Sequence, residues 1–224
     1  MTLKDRLIRL IETGGPIPVS TYMQLCLHDT AQGYYATRPG IGKDFITAPE
    51  ISQIFGELIG LWLVHEWKAM GSPEEIRIVE IGPGRGALMQ DALRLGMVAG
   101  GEDFAKAMRL TLVEPSPAMR DVQRDALAAA QPDFVSTLAE VPAGPMLLVA
   151  NEYLDCLPAR QFRRDGGSWR ECVIGLDASR DLVFGLAADE QAPPEGAGDT
   201  SAVVEVQTGM DLLVADLVTR DAPF

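Results

Sequence analysis

Three short runs in this 224-residue chain have the residue types for chemistry: Glu80-Ile-Gly-Pro-Gly-Arg-Gly86, the acid Glu114, and Asn151-Glu-Tyr-Leu-Asp-Cys-Leu-Pro158. In the first run Gly82, Gly84 and Gly86 alternate. Lacking Cβ atoms, such a segment turns sharply and lets a bound molecule rest against its backbone. It follows an apolar run and precedes a helical pattern, so a helix start would offer unpaired N–H groups to the same space. A ligand-free strand-to-helix turn has the same composition, and the loop alone does not decide between the two.

Glu114 sharpens the reading. A carboxylate at the tip of the neighbouring strand can accept hydrogen bonds from both hydroxyls of a ribose. The dinucleotide fingerprint is GxGxxG with its acid about 20 residues on. Here the spacing is GxGxG, and Glu114 follows Gly82 by 32 residues. Pro83 also stands where a dinucleotide loop would offer an N–H to pyrophosphate. S-adenosyl-L-methionine fits better, since it carries an adenosine and a charged methionine end but no phosphate. Glu80 can meet its ammonium directly or through water; the alternative role is a hydrogen-bond cap of the strand end. An NAD-dependent oxidoreductase is disfavoured by the loop spacing and by the lack of an evident hydride-transfer partner.

The third run ends another apolar strand, at a tip that borders the cofactor crevice in a doubly wound sheet. An Asn, two carboxylates and a Tyr are hard to explain there as packing. For a guanidinium methyl acceptor, carboxylates can clamp the cation and orient one nitrogen in line with the sulfonium methyl. Glu152 is the leading catalytic candidate, with Asn151 and Asp155 beside it. A solvated polar turn capped by Asp155 is the competing explanation.

The elements that must position these residues can be read from periodicity. Ile76–Ile81, Arg109–Glu114, Phe134–Val135 and Pro145–Ala150 are short strands, nearly all apolar, separated by helices over about 87–95 and from Pro117 to about Ala130, with Ser116 as N-cap. That alternation predicts an α/β fold with a parallel sheet covered on both faces. Upstream, helices are expected over 2–12 and 19–28, then a long loop over 29–48. Thr47-Ala-Pro-Glu50 has the form of a capping box, opening a helix to about Met70 whose Ile51, Ile54, Phe55, Leu58, Ile59, Trp62 and Leu63 face a core. Downstream, Ala159–Arg163, Ser168–Ile174 and Leu182–Leu186 suggest an antiparallel insertion, 191–200 a mobile loop, and 209–220 a last helix. The expected domains are 1–72 (helical, with an active-site loop), 73–158 (cofactor-binding core), 159–207 (antiparallel insertion) and 208–224 (the start of the core's C-terminal part).

Composition agrees with one soluble α/β protein: 47% hydrophobic, 23% charged, and a formal charge of −13 that argues against general nucleic-acid binding. Cys26, Cys156 and Cys172 form no CxxC pair, so neither a metal site nor a disulfide framework is indicated. No signal peptide is recognisable, and Leu58–Val64 is far short of the roughly 20 residues of a membrane span. The expected location is the cytoplasm, without membrane insertion.

Four stretches resemble the MidA-type S-adenosyl-L-methionine-dependent methyltransferases, which include the mitochondrial complex I assembly factor. They are Tyr22-Met-Gln24 through Gly33-Tyr-Tyr35; Asp44 to Glu57; the glycine loop with Val113-Glu-Pro-Ser-Pro117; and Asn151-Glu152 through Leu157-Pro158. The resemblance implies a class I, Rossmann-like methyltransferase fold and protein arginine methylation. It adds Pro115 and Asn151 to the cofactor residues and places Asp44 and Glu50 over cofactor and acceptor. It further implies a protein substrate, the large quinone-site subunit of NADH dehydrogenase, and a role in assembly; the family's eukaryotic members are mitochondrial. A class I sheet has seven strands, and only about four are found before the insertion. The expectation is therefore a fragment, or a sheet completed by another chain such as a homo-oligomer partner, with weak activity alone.

Overall fold

The computed structural model describes residues 1–37, 47–194, 197 and 203–220. In chain order the elements are α1 (Leu3–Gly14), β1 (Ile17–Pro18), α2 (Val19–His28), α3 (Tyr34–Thr37), α4 (Ala48–Ile51), α5 (Gln53–Ala69) and β2 (Ile76–Ile81). There follow α6 (Ala87–Ala107), β3 (Met108–Val113), α7 (Pro117–Ala126), β4 (Asp133–Val135) and β5 (Met146–Val149). The last are β6 (Arg160–Asp165), β7 (Ser168–Leu176), β8 (Leu182–Gln191), β9 (Val204–Val206) and α8 (Thr208–Val218). They gather into two compact units, residues 1–38 with 156–214 and residues 39–155 with 215–224.

The second unit holds the parallel sheet, in the order β4-β3-β2-β5. The register runs from Ile76 opposite Met108 to Ile81 opposite Val113, and from Arg77 opposite Met146 to Glu80 opposite Val149. The carboxyl ends of β2, β3 and β5 are thereby level, and the loops leaving them lie at one edge of the sheet, where a doubly wound fold opens its crevice. Ile76, Ile78 and Val79 are completely buried, as a strand covered on both faces requires. One shared core joins Ile76 and Ile78 to Leu63, Trp67, Met89 and Phe104, with the Trp67 and Phe104 rings edge-on at 5.3 Å. This is the α/β arrangement the strand–helix alternation predicts. Helix α6 runs on to Ala107, past the expected 95, because the chain kinks at Gly101 and resumes its helix.

Two expectations for the helix after Thr47 are corrected. Thr47 is the N-cap of α4, but its side chain makes no capping hydrogen bond, so the capping box is not formed. The helix is also not continuous: Ser52 is extended, at φ −146° and ψ 117°, and separates α4 from α5. The packed face of α5 differs as well. Phe55, Ile59 and Leu63 join the core, whereas Ile51, Ile54 and Leu58 are 71%, 63% and 59% exposed and Trp62 is partly so. The face against α6 is set by Gly56 and Gly60. A Cβ at Gly56 would lie 2.6 Å from the Asp91 Cβ, and one at Gly60 would collide with the Ala92 backbone. Small residues let the two helix backbones approach closely, and that contact turns the branched side chains outward.

In the first unit an antiparallel sheet is ordered β1-β7-β6-β9, with β8 also on β7. Helices α1 and α2 cover it through Leu7, Ile11 and Val19 against Cys172 and Ile174. The three expected strands are present, and α2 spans the expected 19–28. The two-residue β1 and three-residue β9 were not anticipated, being too short for a period-two pattern. Within the expected loop, Tyr35 packs on His28 and Tyr34, with ring centroids at 5.5 and 5.3 Å. The three cysteines form no disulfide. Among the described residues no helix is long and apolar enough to cross a membrane.

Candidate functional site

The crevice at the carboxyl ends of β2, β3 and β5 is built within one unit. Gly82, Gly84 and Gly86 all have left-handed backbones, at φ 66°, 53° and 85°, a conformation that side chains with a Cβ adopt at a cost. The Gly86 N–H donates to Pro83 O at 2.8 Å and closes the turn, and Gly86 caps α6. A Cβ at Gly82 would meet the Tyr153 ring at 2.8 Å, so the third predicted run packs directly on the loop. A Cβ at Gly84 would have no heavy atom within 4 Å. That stretch of backbone faces open space.

Glu80, the last polar residue of β2, is only 3% exposed. Its Oε2 has no hydrogen-bond partner among the described residues. Desolvation pushes its carboxyl up to about 8, because burial without a partner disfavours the charged form. The strand-end cap that a buried carboxylate could make is therefore absent at Oε2.

Glu114, also buried, has both carboxylate oxygens held. Oε1 accepts from the Ser116 N–H at 2.8 Å and Oε2 from Gln123 Nε2 at 3.1 Å. Its backbone carbonyl accepts from Arg120 Nε at 2.6 Å, and Arg120 also donates to Ser136 Oγ. Gln123 Nε2 reaches Gly84 O as well, at 2.7 Å. Pro115 is exposed, and Ser116 caps α7 through its Oγ. Gln123 and Arg120 escaped the sequence reading. The available signal was that Gln123 lies four residues from both Met119 and Leu127, a polar residue on the buried face of an amphipathic helix.

Gln123 joins the glycine loop to Glu114, Tyr153 packs on Gly82, and Glu80 lies at the end of the strand that enters the loop. Asn151 is half-buried; Glu152 and Asp155 are exposed. Glu152 has a left-handed backbone, φ 48°, an unusual conformation for a residue with a Cβ. Asp155 lies in the short 3-10 turn Leu154–Cys156. Glu50 is exposed on α4, and Asp44 lies outside the described residues.

These features fit an adenosine with a cationic amino-acid end. The open backbone at Gly84 leaves room for a ligand, Glu114 keeps unused lone pairs for hydroxyls, and a cation beside the orphaned Glu80 carboxyl would favour its ionised form.

Comparison with known proteins agrees. The family profile described as "Putative S-adenosyl-L-methionine-dependent methyltransferase" matches residues 58–216. The Drosophila melanogaster protein arginine methyltransferase NDUFAF7 homolog, mitochondrial, is 36% identical over 98% of this chain and 58% of its own length. The human protein arginine methyltransferase NDUFAF7, mitochondrial, is 33% identical over 95% of this chain and 54% of its own. The chain thus spans about half the length of these curated relatives. A Burkholderia thailandensis crystal structure of a "likely methyl transferase" bound to S-adenosyl-homocysteine superposes with a TM-score of 0.78 at 26% identity, covering 96% of this chain and 59% of that one. With the family profile covering well over half its residues, the chain belongs to this family of S-adenosyl-L-methionine-dependent methyltransferases.

Proposed function

We propose that this chain carries the cofactor-binding part of a bacterial, cytoplasmic protein arginine methyltransferase that modifies a subunit of NADH dehydrogenase and supports its assembly. The observation that carries the cofactor half of this reading is Glu80, a buried carboxyl with an orphaned oxygen at the end of β2. Arginine as the acceptor is supported by the names of the relatives; the large quinone-site subunit is supported by the family resemblance alone.

When bound, S-adenosyl-L-methionine supplies an electrophilic methyl group on a sulfonium. The chain's own residues position and desolvate. Glu80 receives the ammonium, Gly84 offers bare backbone to the methionine end, and Glu114 takes the ribose hydroxyls. Glu152, exposed where a protein side chain can reach it, holds the guanidinium by charge-assisted hydrogen bonds, with Asp155 and Asn151 beside it. Asp44 and Glu50 belong to the segment assigned by resemblance to the acceptor side.

The test is transfer of isotopically labelled methyl groups to NADH dehydrogenase subunits, read by mass spectrometry as labelled methylarginine. Glu152→Gln should keep S-adenosyl-homocysteine affinity and lose transfer by about 100-fold, the scale of a misplaced acceptor. Equal loss of binding and transfer would move Glu152 to a cofactor or folding role. A second reading, a cofactor-binding assembly module without turnover, draws on the exposure of Glu152 and Asp155, since a clamp in water holds a cation weakly. Its signature is S-adenosyl-homocysteine binding with no labelled product.

A further inference from the structure

We infer that Gln123 is a positioning residue that locks the glycine loop and the Glu114 carboxylate into one cofactor seat. The inference rests on reading this crevice as an S-adenosyl-L-methionine site. Gln123 is fully buried in α7. Its Nε2 donates to Gly84 O at 2.7 Å and to Glu114 Oε2 at 3.1 Å. Both partners only accept, which fixes which end of the amide faces them. An amide nitrogen has two hydrogens, so these bonds use both.

One buried nitrogen therefore sets the distance between the loop that would face the methionine end and the acid that would face the ribose. The other Glu114 oxygen is held by the Ser116 N–H at 2.8 Å. With each oxygen anchored once, the carboxylate cannot swing, and each retains lone-pair capacity for one hydroxyl. The cost is visible on the same side chain: Gln123 Oε1 is buried and has no partner among the described residues. An apolar side chain of similar volume would avoid that desolvation penalty. Packing alone does not account for an amide here; its two donors do.

The experiment compares the full chain with Gln123→Met, which keeps volume and removes both donors, by calorimetric titration with S-adenosyl-homocysteine and its 2′-deoxyribose analogue. In the unaltered chain, loss of the hydroxyl should weaken binding roughly 10- to 100-fold, as for a hydrogen bond to a charged group. In Gln123→Met, affinity for S-adenosyl-homocysteine should fall about 10-fold or more, and the deoxy penalty should shrink to about 3-fold or less, because the carboxylate is no longer aimed. A merely structural role would weaken both ligands equally; an unchanged penalty, or unchanged affinity, overturns the inference. If Gln123→Met does not fold, Gln123→Glu serves instead. Its introduced carboxyl donates one hydrogen bond when protonated and repels Glu114 when ionised. Affinity relative to the unaltered chain at the same pH should then fall as pH rises, and a flat ratio overturns the inference. Failure of the unaltered chain to bind S-adenosyl-homocysteine would instead remove the site reading beneath it.

Discussion

A carboxyl buried to 3% exposure with an oxygen unpaired, such as Glu80, carries its proton at neutral pH. An ammonium placed beside it would reverse that balance, since an opposite charge at close range favours the ionised form. Binding of S-adenosyl-homocysteine at pH 7 should therefore release a proton from Glu80. Calorimetry in buffers of different ionisation enthalpy reads this directly. We expect release approaching one proton for the unaltered chain and essentially none for Glu80→Gln. Identical release from both would place the ammonium elsewhere. Sequence named Glu80 from its position at the end of an apolar strand, but not its isolation, because burial is a property of the neighbours. Gln123 was illegible for a related reason. Its function lies in two acceptors, Gly84 O and Glu114 Oε2, that meet only when α7 packs beside the glycine loop. Glu114 could be anticipated because strand length and the strand–helix repeat already place it at a strand tip.

Helix α5 shows where pattern reading fails at the next scale. Residues at spacings of three and four predict a stripe, but a helix rich in apolar side chains offers more than one. Gly56 and Gly60 decide between them, because only at those positions can the α6 backbone approach as it does at Asp91 and Ala92. The sequence signal was present as two glycines four residues apart, opposite in size to what a hydrophobic-stripe search seeks. Urea unfolding of single variants separates the faces. Ile54→Lys, on the exposed side, should change stability by no more than about 0.5 kcal/mol. Leu63→Ala, 1% exposed in the core, should cost about 2–5 kcal/mol. Gly60→Ala should destabilise despite its higher helix propensity, because its methyl has no room beside Ala92. A large loss from Ile54→Lys would mean that the expected stripe, rather than the glycine face, is the packed one. The parallel strands were easier to read than α5 because burial on both faces leaves no choice of side. At Thr47 the right residue types were present, yet the backbone of the short α4 left the side-chain cap unmade.

At the scale of the whole molecule, one described carboxyl in each unit is strongly shifted and gives stability a pH dependence, and the two act in different windows. Asp29 is held down to about 2, first by the Arg6 guanidinium at 2.8 Å and then by the Gln32 and Ala31 N–H groups. A depressed carboxyl stabilises the fold above its unfolded value, near 3.8, and that contribution is lost as pH falls toward 2. Glu80 has the opposite sign. Its unfolded value is near 4.5 and its folded value about 8, so between these the native chain holds a proton that the unfolded chain has released. Stability therefore falls as pH rises across that window and levels off above it. The formal charge of −13 at pH 7 adds self-repulsion in the same direction. The ligand-free chain should be most stable near pH 4–5, below the usual range of about 5–8. Urea midpoints followed from pH 2 to 9 test this. Asp29→Asn should flatten the acid limb, Glu80→Gln should remove much of the fall between 4.5 and 8, and the two effects should add because the groups lie in separate units and share no partner among the described residues. Saturating S-adenosyl-homocysteine should flatten the same fall in the unaltered chain by ionising Glu80 in the native state, and should leave the acid limb due to Asp29 in place. A midpoint that rises from pH 4.5 to 8 in the ligand-free chain would show that Glu80 is ionised in the folded protein, and with it that the crevice is wetter than its geometry indicates.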